Sequence, residues 1–282
     1  MRKPLVLVEG GGEVGTAVAL RLWHAGWPVV VYELPRPLVL RRQLSVAEAA
    51  FVGAVVRDGV RAVRVMQPEA AAALLAWPVA GPRCASRVAL PVYIGARTEA
   101  LARLRPAVVV DARMRRDAVE AQRGLAPLVI GLGPGFRAGE TVDVVVETCP
   151  GPALGQVLWE GAARPHVSRS CLSGQASAER YAYAPRAGLW RTTRAIGDQV
   201  AAGELLGTLA GAPVYAPAAG CLRGLVHDAV LVPAGQKLAA VHPGDWQRKE
   251  AGIGQRAAAI AASVAALVAH YCAAPTATVS GC

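Results

Sequence analysis

The sequence predicts an α/β protein: a mostly parallel, doubly wound sheet in the N-terminal half, then a small all-β sandwich and a C-terminal helix. Three observations predict it. Apolar strand-like runs alternate with helical runs through the first half. A glycine-rich turn joins the first strand to the first helix. In the second half a motif repeats head to tail, Tyr183-Ala184-Pro185-Arg186-Ala187-Gly188 returning 32 residues later as Tyr215-Ala216-Pro217-Ala218-Ala219-Gly220.

The first strand is the buried-type run Leu5-Val6-Leu7-Val8, and residues 16–22 carry helical spacing behind it. Val29-Val30-Val31-Tyr32 follows as a second apolar strand and ends at Glu33. Between the first strand and the helix stands Gly10-x-Gly12-x-x-Gly15, the dinucleotide fingerprint in its proper strand–turn–helix setting. Gly10 allows the tight turn, Gly12 lets the backbone approach a pyrophosphate, and Gly15 lets helix and strand pack closely. The helix N-terminus supplies free N–H groups and positive potential for a phosphate, and Glu33 lies where an acid accepts from ribose hydroxyls. These features predict a Rossmann-like unit; the alternative is that the glycines serve only the turn and the packing.

Further along, residues 62–66, 92–95 and 108–111 are strand-like, and residues 69–75 and 99–104 helical. Asp111 falls at a strand C-terminus, where open α/β sheets place their ligands, and is otherwise a turn cap. Leu128-Val129-Ile130 then enters a second glycine cluster, Gly131-Leu132-Gly133-Pro134-Gly135-Phe136, followed by strand-like residues 142–147 and 156–159. Gly131, Gly133 and Gly135 either curl N–H groups around an anion or make a tight connection needing positive φ.

Residues 163–182 are small, polar and irregular, which predicts a linker between a domain at 1–162 and one at 183–246. The repeat continues through Arg191/Arg223, Val200/Val232, Gly203/Gly235 and Leu206/Leu238. Residues 196–206 resemble the Gly-Asp-x-Val-x-x-Gly-x-x-Leu segment of biotinyl and lipoyl domains, which consist of two quasi-equivalent halves. Such carriers project a lysine from the hairpin between the halves. Here that join, residues 209–214, is shorter and has no lysine, so covalent biotin or lipoate is not expected. Residues 247–282 form a C-terminal helix and tail. The apolar run 257–269 starts directly after Arg256, is dominated by alanine, and reads as a packing helix too short for a membrane span.

Composition narrows the function. The net charge is +10 and the pI about 9.8, yet the only lysines are Lys3, Lys237 and Lys249 and no basic run is interleaved with aromatics, so nucleic acid is not an expected partner. Cys84, Cys149, Cys171, Cys221, Cys272 and Cys282 form no Cys-x-x-Cys pair and no finger spacing with histidine. Free thiols, no metal, no membrane partner, no signal-peptide layout and a cytoplasmic setting are the expectations. His24, His166, His227, His242 and His270 pair with no cysteine or acid at nucleophile or metal spacing, so no catalytic residue is named. Glu9 and Glu13 bracket the first glycine turn and read as capping or solvent-facing acids, with a general base as the functional alternative.

Several longer motifs carry a resemblance. They are residues 8–22, Glu33-Leu34-Pro35-Arg36-Pro37-Leu38-Val39-Leu40-Arg41-Arg42, Ala47-Glu48-Ala49, Val110-Asp111-Ala112, residues 126–139 and Val145-Val146-Glu147-Thr148. Together with the lipoyl-like stretch, they resemble the accessory protein family of the selenium-dependent molybdenum hydroxylase system. The resemblance implies a part in molybdenum hydroxylase maturation, a nucleotide (NAD(P)) or molybdopterin-type ligand at Gly10, Gly12, Gly15, Glu33, Gly131, Gly133 and Gly135, and a hydroxylase or another maturation factor as partner. Arg41 and Arg42 match as well, as an anion clamp or as a solvated pair.

The chain departs from the family pattern. Cys149-Pro150-Gly151-Pro152 replaces Asn-Arg-Gly-His, Gln156 replaces an arginine, residues 113–117 lack the expected lysine, and Gly12-Glu13 replaces Gly-Asp. It reads as a divergent member. Two other functions remain open from the residues: an NAD(P)-dependent oxidoreductase, and a non-catalytic structural adaptor.

Overall fold

A computed structural model describes residues 3–76, 88–165, 180–243 and 252–273. The N-terminal half is built on one nine-stranded sheet. Its strands are β1 (Val6–Glu9), β2 (Val29–Glu33), β3 (Ala54–Arg57), β4 (Val60–Val65), β5 (Leu90–Ile94), β6 (Val108–Asp111), β7 (Leu128–Leu132), β9 (Val144–Val146) and β10 (Val157–Leu158). A separate short ribbon pairs β8 (Arg137–Ala138) with β11 (Gly161–Ala162). The order across the large sheet is β10-β9-β7-β6-β1-β2-β5-β4-β3. Its interior pairs are parallel, and only the edge strands β3 and β10 run antiparallel.

The helices are α1 (Glu13–His24), α2 (Ala49–Val52), α3 (Pro68–Ala76), α4 (Arg97–Leu104) and α5 (Gln255–Ala273). Alternation along each strand explains the two layers. Val6 and Val8 of β1 face a core with α1 and α5, whereas Leu7 faces a core with Ala71 of α3 and Ala100 of α4. Two-sided burial is why these strands read as continuous valine and leucine runs.

The expected strands and helices of this half are present, and β3, α2 and the short strands β8 and β11 are added to them. Residues 54–57 are paired to β4 through a two-residue turn, Asp58 (φ 47°) and Gly59 (φ 73°). Asp-Gly is a strong hairpin signal because both turn positions need positive φ.

The C-terminal helix corrects an expectation. It runs 19 residues rather than the shorter apolar run, and by length and composition it is long and apolar enough to cross a membrane. In the fold its stripe Ala257, Ile260, Ala261, Val264, Leu267 and Val268 is buried in the core that it shares with α1.

The repeat resolves into eight strands: β12 (Tyr181–Tyr183), β13 (Gly188–Arg191), β14 (Gln199–Val200) and β15 (Leu205–Leu209), then β16 (Ala212–Tyr215), β17 (Gly220–Leu225), β18 (Val230–Val232) and β19 (Lys237–His242). The sheets are β12-β19-β17-β14 and β16-β15-β13-β18. Exchanging each strand for its repeat equivalent converts one sheet into the other. Each sheet therefore holds two strands from each repeat, and neither repeat can close a core alone. Trp190, Leu206, Leu209, Leu222 and Leu238 fill the space between the sheets. The join between the halves is the tight turn Ala210-Gly211, both at positive φ, which closes β15 onto β16.

The residues after β2 dock this sandwich onto the large sheet. Leu225 N–H donates to Leu40 O at 2.8 Å, Arg42 Nε to Leu225 O at 2.7 Å, and Arg36 to Ala229 O at 2.6 Å. Phe51 and His227 stack with centroids 3.9 Å apart and planes at 9°.

Candidate functional site

Strand order reverses at β1: β2 lies on one side of it and β6 on the other. The C-terminal ends of β1 and β6 therefore flank the topological switch point, where open α/β sheets form their ligand crevice. Glu9 closes β1, Asp111 closes β6, and the two are register partners. Both side chains are completely buried. This corrects the reading of Glu9 as a capping or solvent-facing acid. As with Leu7, its position in β1 turns it toward the α4 face.

These acids belong to a closed ring. Glu9 Oε1 accepts from Arg97 Nε at 2.7 Å, and Arg97 Nη2 donates to Gln122 Oε1 at 2.8 Å. Gln122 Nε2 donates to Asp111 at 3.0 Å. Asp111 accepts from Arg113 Nε at 2.9 Å, from a second Arg113 nitrogen and from the Arg113 backbone N–H at 3.1 Å. Arg113 returns to Glu9 Oε2 at 3.0 Å, a close ion pair without hydrogen-bond alignment.

Burial pushes the Glu9 carboxyl up, against the pull of Arg97 and Arg113. Burial acts on Asp111 too, but there the Arg113 bonds and the Gln122 amide outweigh it and hold the carboxyl below its usual value. Beside the ring, Tyr93 donates to Glu99 at 2.6 Å, and burial together with that carboxylate pushes its phenol up to about 12.

Above the ring the connection between β6 and β7 encloses a cleft of about 370 Å³, lined among others by Arg97, Arg113, Arg115, Arg116 and Gln122. Asp117 and Glu120 stand on the same loop. A long connection without regular structure, at a switch point, is a usual place for a ligand. Arg97 and Arg113 are committed to the ring, whereas Arg115 and Arg116, both exposed, offer forked donors to carboxylate or phosphate oxygens.

The first glycine turn has the fingerprint's geometry. Gly10 takes φ +92°, and a Cβ there would stand 3.1 Å from the Arg113 side chain. A Cβ on Gly15 would stand 1.8 Å from Gly10 O, so helix and strand meet too closely for any side chain. Gly12 faces open space and is the N-cap of α1, with no side-chain cap.

Much of this turn is nonetheless engaged by protein. Glu33 Oε2 accepts from Gly11 N–H and Oε1 from Leu34 N–H, both at 2.7 Å, so the acid expected at a ribose braces the turn. Burial raises its carboxyl above the usual value, with those N–H groups and Arg113 pulling the other way. Gly11 is covered by the backbone of Ala47, whose N–H donates to Gly11 O at 3.0 Å. Arg41 bonds Glu13 in the first turn of α1 at 2.9 Å, and Arg42 bonds Leu225 O and, at 3.2 Å, Glu48. These arginines are engaged rather than a solvated pair.

The second glycine cluster serves packing. A Cβ on Gly131 would stand 2.4 Å from the buried Phe136 ring, and one on Gly135 would stand 2.4 Å from Asp117 O. Gly133, at φ +114°, lies beside Thr148 at the end of β9. There Glu147 accepts from the N–H groups of Thr148, Cys149 and Arg164 at 2.7–2.8 Å, and Arg256 donates to Thr148 O at 2.8 Å. Arg256 also interacts electrostatically with Glu13, Cys149 and Tyr181. Arg256 thus bonds the end of β9 and feels charges of the first helix turn and of the sandwich.

Sequence reasoning singled out the glycines and Asp111 but missed Arg97, Arg113 and Gln122. Arginines near strand ends that close on acids were the only available signal. No group of histidine, cysteine and acid residues able to hold a metal occurs among the described residues. His166, Cys84, Cys171, Cys282 and Lys249 lie outside the described residues.

No family model matches the chain. Over 260 residues it is 32% identical to an uncharacterized protein, YqeB, of Escherichia coli K12, and the two are homologues. The match covers 92% of this chain and 46% of that protein, so the chain spans about half the length of the curated relative it matches. Among solved structures, the ectoine utilization protein EutE (DoeB) of Ruegeria pomeroyi aligns at 14% identity over 86% of this chain and 87% of that one, with a TM-score of 0.25. An aspartoacylase family protein of Mesorhizobium loti aligns at 13% identity over 86% and 87%, with a TM-score of 0.26. Scores at that level carry no structural or functional argument.

Proposed function

We propose that the protein is a divergent accessory factor of molybdenum hydroxylase maturation that holds a phosphate-bearing nucleotide or molybdopterin-type ligand at the C-terminal edge of its large sheet. The observation that carries the ligand half of this reading is the arginine-lined cleft over the buried Glu9–Asp111 pair at the switch point. The ring beneath preorganises Arg97 and Arg113, so binding an anion costs little side-chain ordering. The open N-cap at Gly12 adds N–H groups and helix-dipole potential nearby.

The maturation process is supported by the motif resemblance, chiefly Glu33–Arg42 and the Gly-Leu-Gly-Pro-Gly-Phe turn. Docking of a client hydroxylase rests on that resemblance alone. The surface to test is the outer face of the β16-β15-β13-β18 sheet, where the partners Leu189 and Leu231, and Leu205 and Tyr215, are exposed. Leu231→Glu should leave the fold intact and weaken capture of a purified molybdenum hydroxylase.

An NAD(P)-dependent oxidoreductase draws less support, because Glu33 is committed to backbone donors. The deciding experiment is mass spectrometry of ligands released from protein purified out of a host that makes molybdenum cofactor. A molybdopterin or nucleotide-linked pterin is the expected species. NAD(P) would overturn the assignment in favour of redox chemistry, and an empty protein would favour the structural adaptor.

A further inference from the structure

The sandwich half gathers two cations around Tyr181. Lys237 Nζ lies 3.6 Å from the centroid of the Tyr181 ring and 6.0 Å from that of Tyr183. Arg223 donates to the Tyr181 hydroxyl at 3.2 Å, and its Nε is buried with no partner. Two irregularities in the sheet put them there. The β17–β19 register shifts between Leu222 and Gly224, at Arg223, and the β12–β19 register shifts between Ala182 and Tyr183, opposite Lys237. Bulges of this kind re-aim side chains and concentrate beside binding sites.

The cluster faces the large-sheet half. Burial lowers the Lys237 ammonium, and the charges of Arg116 and Arg223 lower it further. Arg116 also lines the cleft described above. From the other side Arg256 interacts with Tyr181. Among the described residues no carboxylate pairs with Lys237, Arg223 or Arg116. Lys237 is held by a ring face, which leaves its N–H donors unspent. Lys237 and Arg223 are half-buried and Arg116 is exposed; like charges without counter-ions raise the local potential, and an arriving anion relieves it.

We propose that Lys237 and Arg223 form an anion subsite contributed by the sandwich, fitted to a phosphate-class group. A ligand held in the arginine-lined cleft and bearing a pyrophosphate reaches this subsite across the seam between the halves. The inference rests on the cleft reading and adds to it a second point of attachment.

The test is calorimetric titration of the full chain with inorganic pyrophosphate and with orthophosphate. Pyrophosphate should bind more tightly than orthophosphate. Lys237→Gln and Arg223→Gln should each weaken pyrophosphate about tenfold, the size of one charge-assisted hydrogen bond. Because Arg223 sits in a bulge, a second readout uses the wild-type chain: pyrophosphate should protect Lys237 from an amine-acetylating reagent, read by peptide mass spectrometry. A folded Lys237→Gln variant with unchanged affinity, or no protection of Lys237, overturns the proposal. If Arg115→Gln weakens binding and the Lys237 and Arg223 variants do not, the cleft stands and the subsite falls. The reverse pattern supports the subsite and removes the cleft. No binding of either probe to the wild-type chain overturns both.

Discussion

Glu9 and Asp111 stand opposite each other in register at the ends of β1 and β6, and both close on the guanidinium of Arg113. Two fully buried carboxylates side by side would repel in a medium of low dielectric. Arg113, with Arg97 behind it, is what lets both remain there.

Arg113→Met should therefore be among the most damaging single changes in this half. It leaves Asp111 with Gln122 and the backbone N–H of position 113, and Glu9 with Arg97 alone, and stranding a buried charge costs about 3–5 kcal/mol. Adding Glu9→Gln and Asp111→Asn to the same chain should recover much of the loss. Urea unfolding measures both, and a single-variant loss below about 1 kcal/mol would show that the pair is not held by Arg113.

The two acids should also have opposite pH signatures. Glu9 has a raised pKa in the fold, so the native state holds its proton more tightly than the unfolded chain does. Its contribution to stability is fully present below the ordinary glutamate pKa and is lost as pH rises through the raised value. Asp111 is lowered, so its contribution is present above the ordinary aspartate pKa and is lost as pH falls through the lowered one. The stability of the wild type minus that of Glu9→Gln should decline as pH rises from the ordinary glutamate range upward. Parallel pH curves would contradict the raised Glu9 value.

The fingerprint glycines should separate by role. Gly15→Ala drives a methyl into Gly10 O and should cost about 3 kcal/mol or show incomplete folding. Gly12→Ala meets open space and should fold with near-normal stability, while weakening pyrophosphate binding. Thermal unfolding and calorimetry on the two variants make the comparison. Full affinity in folded Gly12→Ala would remove this turn from the ligand site.

The seam between the halves offers a fourth test. Phe51 stacks on His227 at the contact with the sandwich. Phe51→Ala should cost about 3 kcal/mol or less, part of it the stack itself at about 1 kcal/mol. It should speed limited proteolysis across the seam. Unaltered proteolysis would mean that the Leu40 carbonyl and the Arg42 side chain, both bonded to Leu225, hold the seam without the ring pair.

Much of the fold is legible along the chain. Each expected strand of the large sheet falls on an apolar run, and Gly10, Gly12 and Gly15 mark the first turn because strand, turn and helix are neighbours in sequence. The Asp58-Gly59 hairpin was legible too, although its short strands carry arginines that mask the alternation. The ring was not legible. Only Asp111 and Arg113 are neighbours in sequence; Glu9, Arg97 and Gln122 come from separate segments, and no local geometry sets their spacing to that pair.

By itself, then, the sequence determined the elements, the close helix–strand approach at Gly15, and the two-half character of the sandwich. Each follows from burial periodicity, from steric needs of one backbone position, or from direct repetition. Only the tertiary structure decided that β1 lies between β2 and β6, that each repeat gives two strands to each sheet, and that Arg223 and Lys237 gather on Tyr181. Those outcomes depend on which apolar faces close on one another, a competition among contacts far apart in the chain that no local pattern records.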